Sequence, residues 1–183
     1  GLTAFALGWV QSVRVSESTC AAIKAAGASN DISLSVHAPY FINLNTNADQ
    51  WPAHKKRILD AAYYGFLAGA TDIIFHPGSY AGQDDGSPLQ MAISRLKECE
   101  VALKEMNVEV WLRPEVMGKP SMLGSLEDVI EMTLACERVK PCLDISHLFA
   151  RSAGSMYLTK ADYVSMLKGY RKRLGKKSLS ELH

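Results

Sequence analysis

Five side chains in this sequence have the types and placement to hold a divalent metal. They are His37 in SVHAPY, His76 in IIFHPGSY, Glu115 in LRPEVMGK, and Asp144 and His147 in CLDISH. Neutral imidazole and carboxylate are the usual nitrogen and oxygen donors to zinc and similar ions. Taken one at a time, each has a plainer reading. A histidine after an apolar strand can be a hydrogen-bonded structural residue, and Glu115 can pair with Arg113. Asp144 can cap a turn, or form a local pair with His147. Together the five say more. Two histidines and a carboxylate form a zinc set that leaves a position for water. A further carboxylate allows a shared ligand and a second metal about 3.5–4 Å away, an arrangement suited to phosphoryl-ester hydrolysis. His54 stands apart, beside Lys55 and Lys56 on the charged side of a helix, and reads as solvated.

These residues need elements to bring them together. Short apolar runs predict strands over Ala4–Val10, Leu34–His37, Asp72–His76, Glu109–Leu112 and Pro141–Asp144. Between them, Glu17–Ala26, Gln50–Ala68, Pro88–Met106, Ser125–Arg138 and Lys160–Leu174 have helical character. Ser16 and Ser125 suit N-caps, and Gly27, Gly69 and Gly175 suit helix stops. Strand–helix alternation argues for α/β architecture with a parallel sheet. His37, His76, Glu115 and Asp144 stand at the ends of successive predicted strands, 39, 39 and 29 residues apart. A (β/α)8 barrel of about 250 residues averages roughly 30 per unit, and its active site lies at the C-terminal ends of its strands. No G-x-G-x-x-G follows the first strand, as a dinucleotide-binding sheet would require. The expected fold is therefore a TIM barrel, read as one domain over residues 1–183. It is incomplete, with about five of the eight βα units and both ends missing. Such a piece has two sheet edges and is expected to associate.

The composition sets the outer bounds. Of 183 residues, 48% are hydrophobic and 21% charged, and 20 Lys+Arg against 19 Asp+Glu leave a net charge of +1. This excludes a disordered chain, a collagen and a highly basic nucleic-acid coat. A nucleic-acid partner would need a local basic surface. Arg171, Lys172, Arg173, Lys176 and Lys177 form one basic cluster, read as a solvated helix end, where cations favour the helix dipole. No apolar run reaches the roughly 20 residues of a membrane helix, and the first residues lack the basic region of a signal peptide. Cys20, Cys99, Cys136 and Cys142 form no C-x-x-C pair and read as reduced core residues of a cytoplasmic protein.

The motifs HAPYFINL, FHPGSY, LRPEVMGK and CLDISH occur in this order. Together they resemble endonuclease IV, the zinc-dependent apurinic/apyrimidinic endonuclease family with a TIM-barrel fold. The G-K form of the third motif is similar to the archaeal branch. The resemblance covers the chain from Gly1 to His183. It implies that His37 and His76 are zinc ligands and that Glu115 bridges two zincs and orients the attacking water or hydroxide. It further implies that Asp144 binds the second zinc, that His147 binds the third, and that Tyr40 contacts or wedges into DNA. The family's other ligands fall after His183, so this chain fills one complete zinc position, His37–His76–Glu115. Ala6 and Gly8 stand where family members usually carry acidic residues.

The activity this implies is cleavage of the phosphodiester 5′ to abasic sites in duplex DNA, by metal-activated hydroxide, in base excision repair. The protein would be a monomer when complete, with no membrane partner. Two other readings are a sugar isomerase or epimerase on the same barrel, against which the Asn-Leu after H-A-P-Y and the H-P-G loop speak, and an inactive fragment.

Overall fold

A computed structural model describes residues 1–183. Strands β1 (Ala4–Gly8), β2 (Ser33–His37), β3 (Ala70–Phe75) and β4 (Trp111–Pro114) form a four-stranded parallel sheet in that order. Helices α1 (Glu17–Ser29), α2 (Trp51–Leu67) and α3 (Ser87–Glu105) connect them, and α4 (Leu126–Ala135), α5 (Ile145–Arg151) and α6 (Lys160–Leu174) follow.

The fifth expected strand is not one. Residues 138–142 run alongside β4 in parallel, but only as two isolated bridges, Leu112 with Val139 and Glu115 with Cys142. The hydrogen bonds explain why. Lys140 N donates to Leu112 O, Cys142 N to Pro114 O and Val116 N to Cys142 O. The rung between them would need an N–H on Pro114, which proline lacks. Helix α5 was not anticipated; Asp144 caps it by accepting from His147 N, which turns the expected loop into two turns of helix.

Successive strand residues face opposite sides. Val36, Ile73 and Leu112 are paired across β2, β3 and β4 and face the helices, packing with Ile58, Ala61, Ala62, Leu96 and Cys99. His37, Ile74 and Arg113 are paired in the next row and face the other side. There Arg113 Nε donates to Asp72 Oδ1 at 2.6 Å, and its Nη1 to the carbonyls of Pro141 and Glu181. Arg113 therefore pairs across strands with Asp72, leaving Glu115 free.

Ser16 and Ser125 do cap α1 and α4, the latter in a capping box with Asp128. Gly69 and Gly175 adopt positive φ just past α2 and at the end of α6. Gly27 does not end α1. It lies inside the helix, where a Cβ would meet Leu34 Cδ1 at 2.8 Å, so its smallness lets the helix lie close on β2.

Candidate metal centre

His37 ends β2, His76 follows β3 by one residue, and Glu115 follows β4 by one residue. Asp144 and His147 are supplied by the start of α5. Three parallel strands, and the segment 138–142 running alongside β4, thus deliver these residues to one end of the sheet.

Glu115 stands at the centre. Its Oε2 lies 3.2 Å from His37 Nε2 and 3.4 Å from His76 Nε2, while its Oε1 lies 3.2 Å from His147 Nδ1. Asp144 Oδ2 is 3.6 Å from the same His147 nitrogen. Two possible ligand groups result, His37–His76–Glu115 and Glu115–Asp144–His147, each with its donor atoms within 4.8 Å of one another. Glu115 belongs to both, one oxygen to each.

The first group suits a metal as it stands. Tetrahedral zinc with bonds of about 2.0–2.1 Å places its donors roughly 3.3 Å apart, close to the two His–Glu separations. His37 Nδ1 lies 2.9 Å from Ala38 O, so as an N–H donor it leaves Nε2 turned to the centre. In the second group His147 Nδ1 also lies 2.8 Å from Val116 O. A proton on that nitrogen, given to Val116 O, would leave only Nε2 to bind an ion.

The electrostatics follow from this packing. Burial opposes charge on Glu115, but hydrogen bonds from His37 and His76 and their charges outweigh it and hold the carboxyl down at about 2. Burial likewise opposes charge on His37, and the bonds to Glu115 and Ala38 overcome it, raising its pKa. A cation would take the place of that proton.

Tyr40 lies at the mouth, 48% exposed. Its ring stacks on His76 with centroids 5.0 Å apart at 17°, and meets His37 edge-on at 5.2 Å. Ala6 and Gly8 leave the adjoining end of β1 without acidic groups.

Several residues that shape the site carry no obvious signal in sequence. Asn43 Oδ1 accepts from Asn45 N and Ser79 N, and Leu44 N donates to Pro77 O, tying the loops after β2 and β3 together. Gly78 makes this possible: its φ is +121°, and a Cβ there would meet Asn43 Oδ1. Arg151 on α5 donates to the carbonyls of Met117, Lys119, Met122 and Pro120 and to the Tyr80 hydroxyl, gathering the loop after β4. The Tyr80 hydroxyl in turn donates to Asp128 of the α4 cap. His54 is not simply solvated: its Nδ1 accepts from Asn43 N at 3.1 Å, and burial followed by the Arg57 charge lowers its pKa. In the basic cluster Arg173 pairs with Glu127 and Glu131 of α4, joining α6 to α4.

The sequence profile of xylose isomerase-like TIM barrels matches residues 1–183. The chain belongs to that family. Its α/β architecture is accordingly TIM-barrel-like, with four parallel strands present. Among relatives in this family, an uncharacterised protein of Methanocaldococcus jannaschii is 30% identical over 183 residues, covering 100% of this chain and 65% of that one. A probable endonuclease 4 of Staphylococcus saprophyticus is 30% identical over 167 residues, covering 88% of this chain and 53% of that one. The endonuclease IV structure from Thermus thermophilus superposes with a TM-score of 0.75 at 22% identity, covering 96% of this chain and 63% of that one. A D-tagatose 3-epimerase-like protein has the same fold, with a TM-score of 0.65 at 17% identity and coverage of 80% and 58%. The chain thus spans between about half and two thirds of the length of these proteins. No helix is long and apolar enough to cross a membrane.

Proposed function

We propose that this chain carries the metal-binding part of an endonuclease IV-type enzyme, of the archaeal kind, that cleaves duplex DNA on the 5′ side of abasic sites. The observation that carries the reading is Glu115 presenting one oxygen to His37 and His76 and the other to His147. A carboxylate so placed suits a bridge between two cations, as phosphodiester hydrolysis uses. The similarity to probable endonuclease 4 proteins supports the substrate class.

In this reading His37, His76 and Glu115 would hold one zinc, Glu115 and Asp144 would share a second, and His147 would serve a third. Such ions, when bound, would supply Lewis acidity for phosphodiester hydrolysis. The chain's own residues do the rest. Glu115, ionised at any physiological pH, would supply the negative charge that the ions share and would accept a hydrogen bond from the attacking water. Tyr40 faces the DNA at the mouth, where an abasic gap gives an aromatic ring room to enter. The protein acts in the cytoplasm as a single domain and, when complete, as a monomer.

The test combines zinc content with cleavage of a duplex bearing one stable abasic analogue. Zinc uptake and a single cut 5′ to the analogue are expected, with both lost in Glu115→Gln. An uncut duplex together with turnover of a ketohexose would replace this reading with an epimerase.

A further inference from the structure

Two of the three histidines at the site are oriented by hydrogen bonds from the ring nitrogen that faces away from Glu115 or beside it. His37 uses Ala38 O and His147 uses Val116 O. His76 has no such partner: its Nε2 lies 3.4 Å from Glu115 Oε2, and no hydrogen bond reaches its Nδ1. Its ring has aromatic neighbours. Tyr40 lies nearly parallel to it at 5.0 Å, and His37 meets it edge-on at 5.2 Å. The Tyr40 backbone is itself anchored, its N–H donating to Val10 O at 3.0 Å, while Ala38 N donates to Ile74 O. The HAPY segment is thereby pinned to β3 at one end and to the segment after β1 at the other, which fixes where the Tyr40 ring falls.

We infer that Tyr40 is a positioning residue for the metal centre, holding the His76 imidazole in its ligating orientation by stacking, in place of the hydrogen bond the other histidines have. This rests on the proposed metal binding by His37, His76 and Glu115. Partners that orient a ligating histidine are worth about 10–100-fold in metal affinity. A stacked ring restricts rotation about the imidazole's side-chain bonds without consuming either nitrogen, so His76 keeps Nε2 for the ion. The tyrosine hydroxyl has no part in this, because no protein group bonds to it.

The experiment is zinc affinity by chelator competition at one pH, with cobalt(II) absorption as a readout of ligand geometry. It compares wild type, Tyr40→Ala, Tyr40→Phe and His76→Ala, each checked for folding by circular dichroism. Tyr40→Ala should lose about tenfold or more in zinc affinity and change the cobalt spectrum, while Tyr40→Phe retains both. Wild-type affinity and spectrum in Tyr40→Ala would overturn the inference while leaving the metal centre standing. An equal loss in Tyr40→Phe would overturn it too, assigning the effect to the hydroxyl. Wild type and His76→Ala binding zinc equally poorly would instead overturn the metal centre, and this inference with it.

Discussion

Asn43 Oδ1 sits 2.0 Å from the point where a side chain on Gly78 would begin. The contact joins the loop that carries His37 to the loop that carries His76, and Gly78 holds φ at +121° to allow it. Gly78→Ala meets both a strained backbone and an occupied space. It should destabilise the protein by on the order of 1–3 kcal/mol or more. Urea unfolding of the two proteins checks this, with zinc affinity as a second measure of loop displacement.

Glu115→Gln keeps the volume of the side chain but removes the shared negative charge. A neutral amide is a poor bridge and presents an N–H to one histidine group. Zinc affinity should fall by more than the roughly 10–100-fold that loss of an outer partner costs. Metal analysis after dialysis, beside abasic-duplex cleavage, tests this; normal zinc content would remove Glu115 from the site.

Arg151→Lys tests whether the loop after β4 depends on the shape of the guanidinium. A lysine carries the same charge, but as a point charge without the planar fork that reaches several carbonyls at once. With hydrogen bonds to a charged group worth about 1.5–3 kcal/mol, the loop should open and its cleavage by a low-specificity protease such as subtilisin should quicken. Unchanged proteolysis would show that charge alone suffices.

The metal-free protein should show a pH signature of the His37–Glu115 pair. Glu115 falls from 4.5 to about 2, so its contribution is present above pH 4.5 and is lost as the pH falls toward 2. His37 is raised from 6.5, so its contribution is present below 6.5 and is lost as the pH rises through its folded value. The pair therefore contributes most between about pH 4.5 and 6.5. The urea midpoint of wild type minus that of His37→Gln should peak in this window. Zinc must displace the His37 proton, so zinc uptake should weaken as the pH drops through the same range.

The cysteines offer a simpler check. Burial first, with nearby carboxylates adding to it, pushes Cys99, Cys136 and Cys142 up to about 12. At neutral pH these thiols should resist a thiol reagent until the protein is unfolded.

The arrangement of the site was readable because its residues end apolar runs, and parallel strands carry their ends to a common edge. His37, His76 and Glu115 needed only that rule. Their neighbours needed more. The partner of Arg113 is set by which strand lies alongside, so Asp72, 41 positions earlier, could not be told from Glu115 two positions later. The missing fifth strand turned on the absent N–H of Pro114, a detail of β4 felt by residues 138–142. His54 reads as solvated in the sequence because its partner is a backbone N–H of a loop, which no side-chain pattern announces. Arg151 lies on α5, whose seven residues are too few to leave a helical period.

In the proposed assignment the two oxygens of Glu115 serve groups that come into existence at different times. His37, His76 and Glu115 have all been synthesised once residue 115 is added, whereas Asp144 and His147 come about 30 residues later. At roughly 5–20 residues per second, Asp144 and His147 leave the ribosome about 1.5–6 seconds after Glu115, so the first group is free to assemble ahead of the second. An ion captured in that interval would clasp the ends of β2, β3 and β4 before α5 is free to pack beside them. The order of loading would then be set by the ribosome, and the relative affinities of the two positions would matter only later, when ions are exchanged.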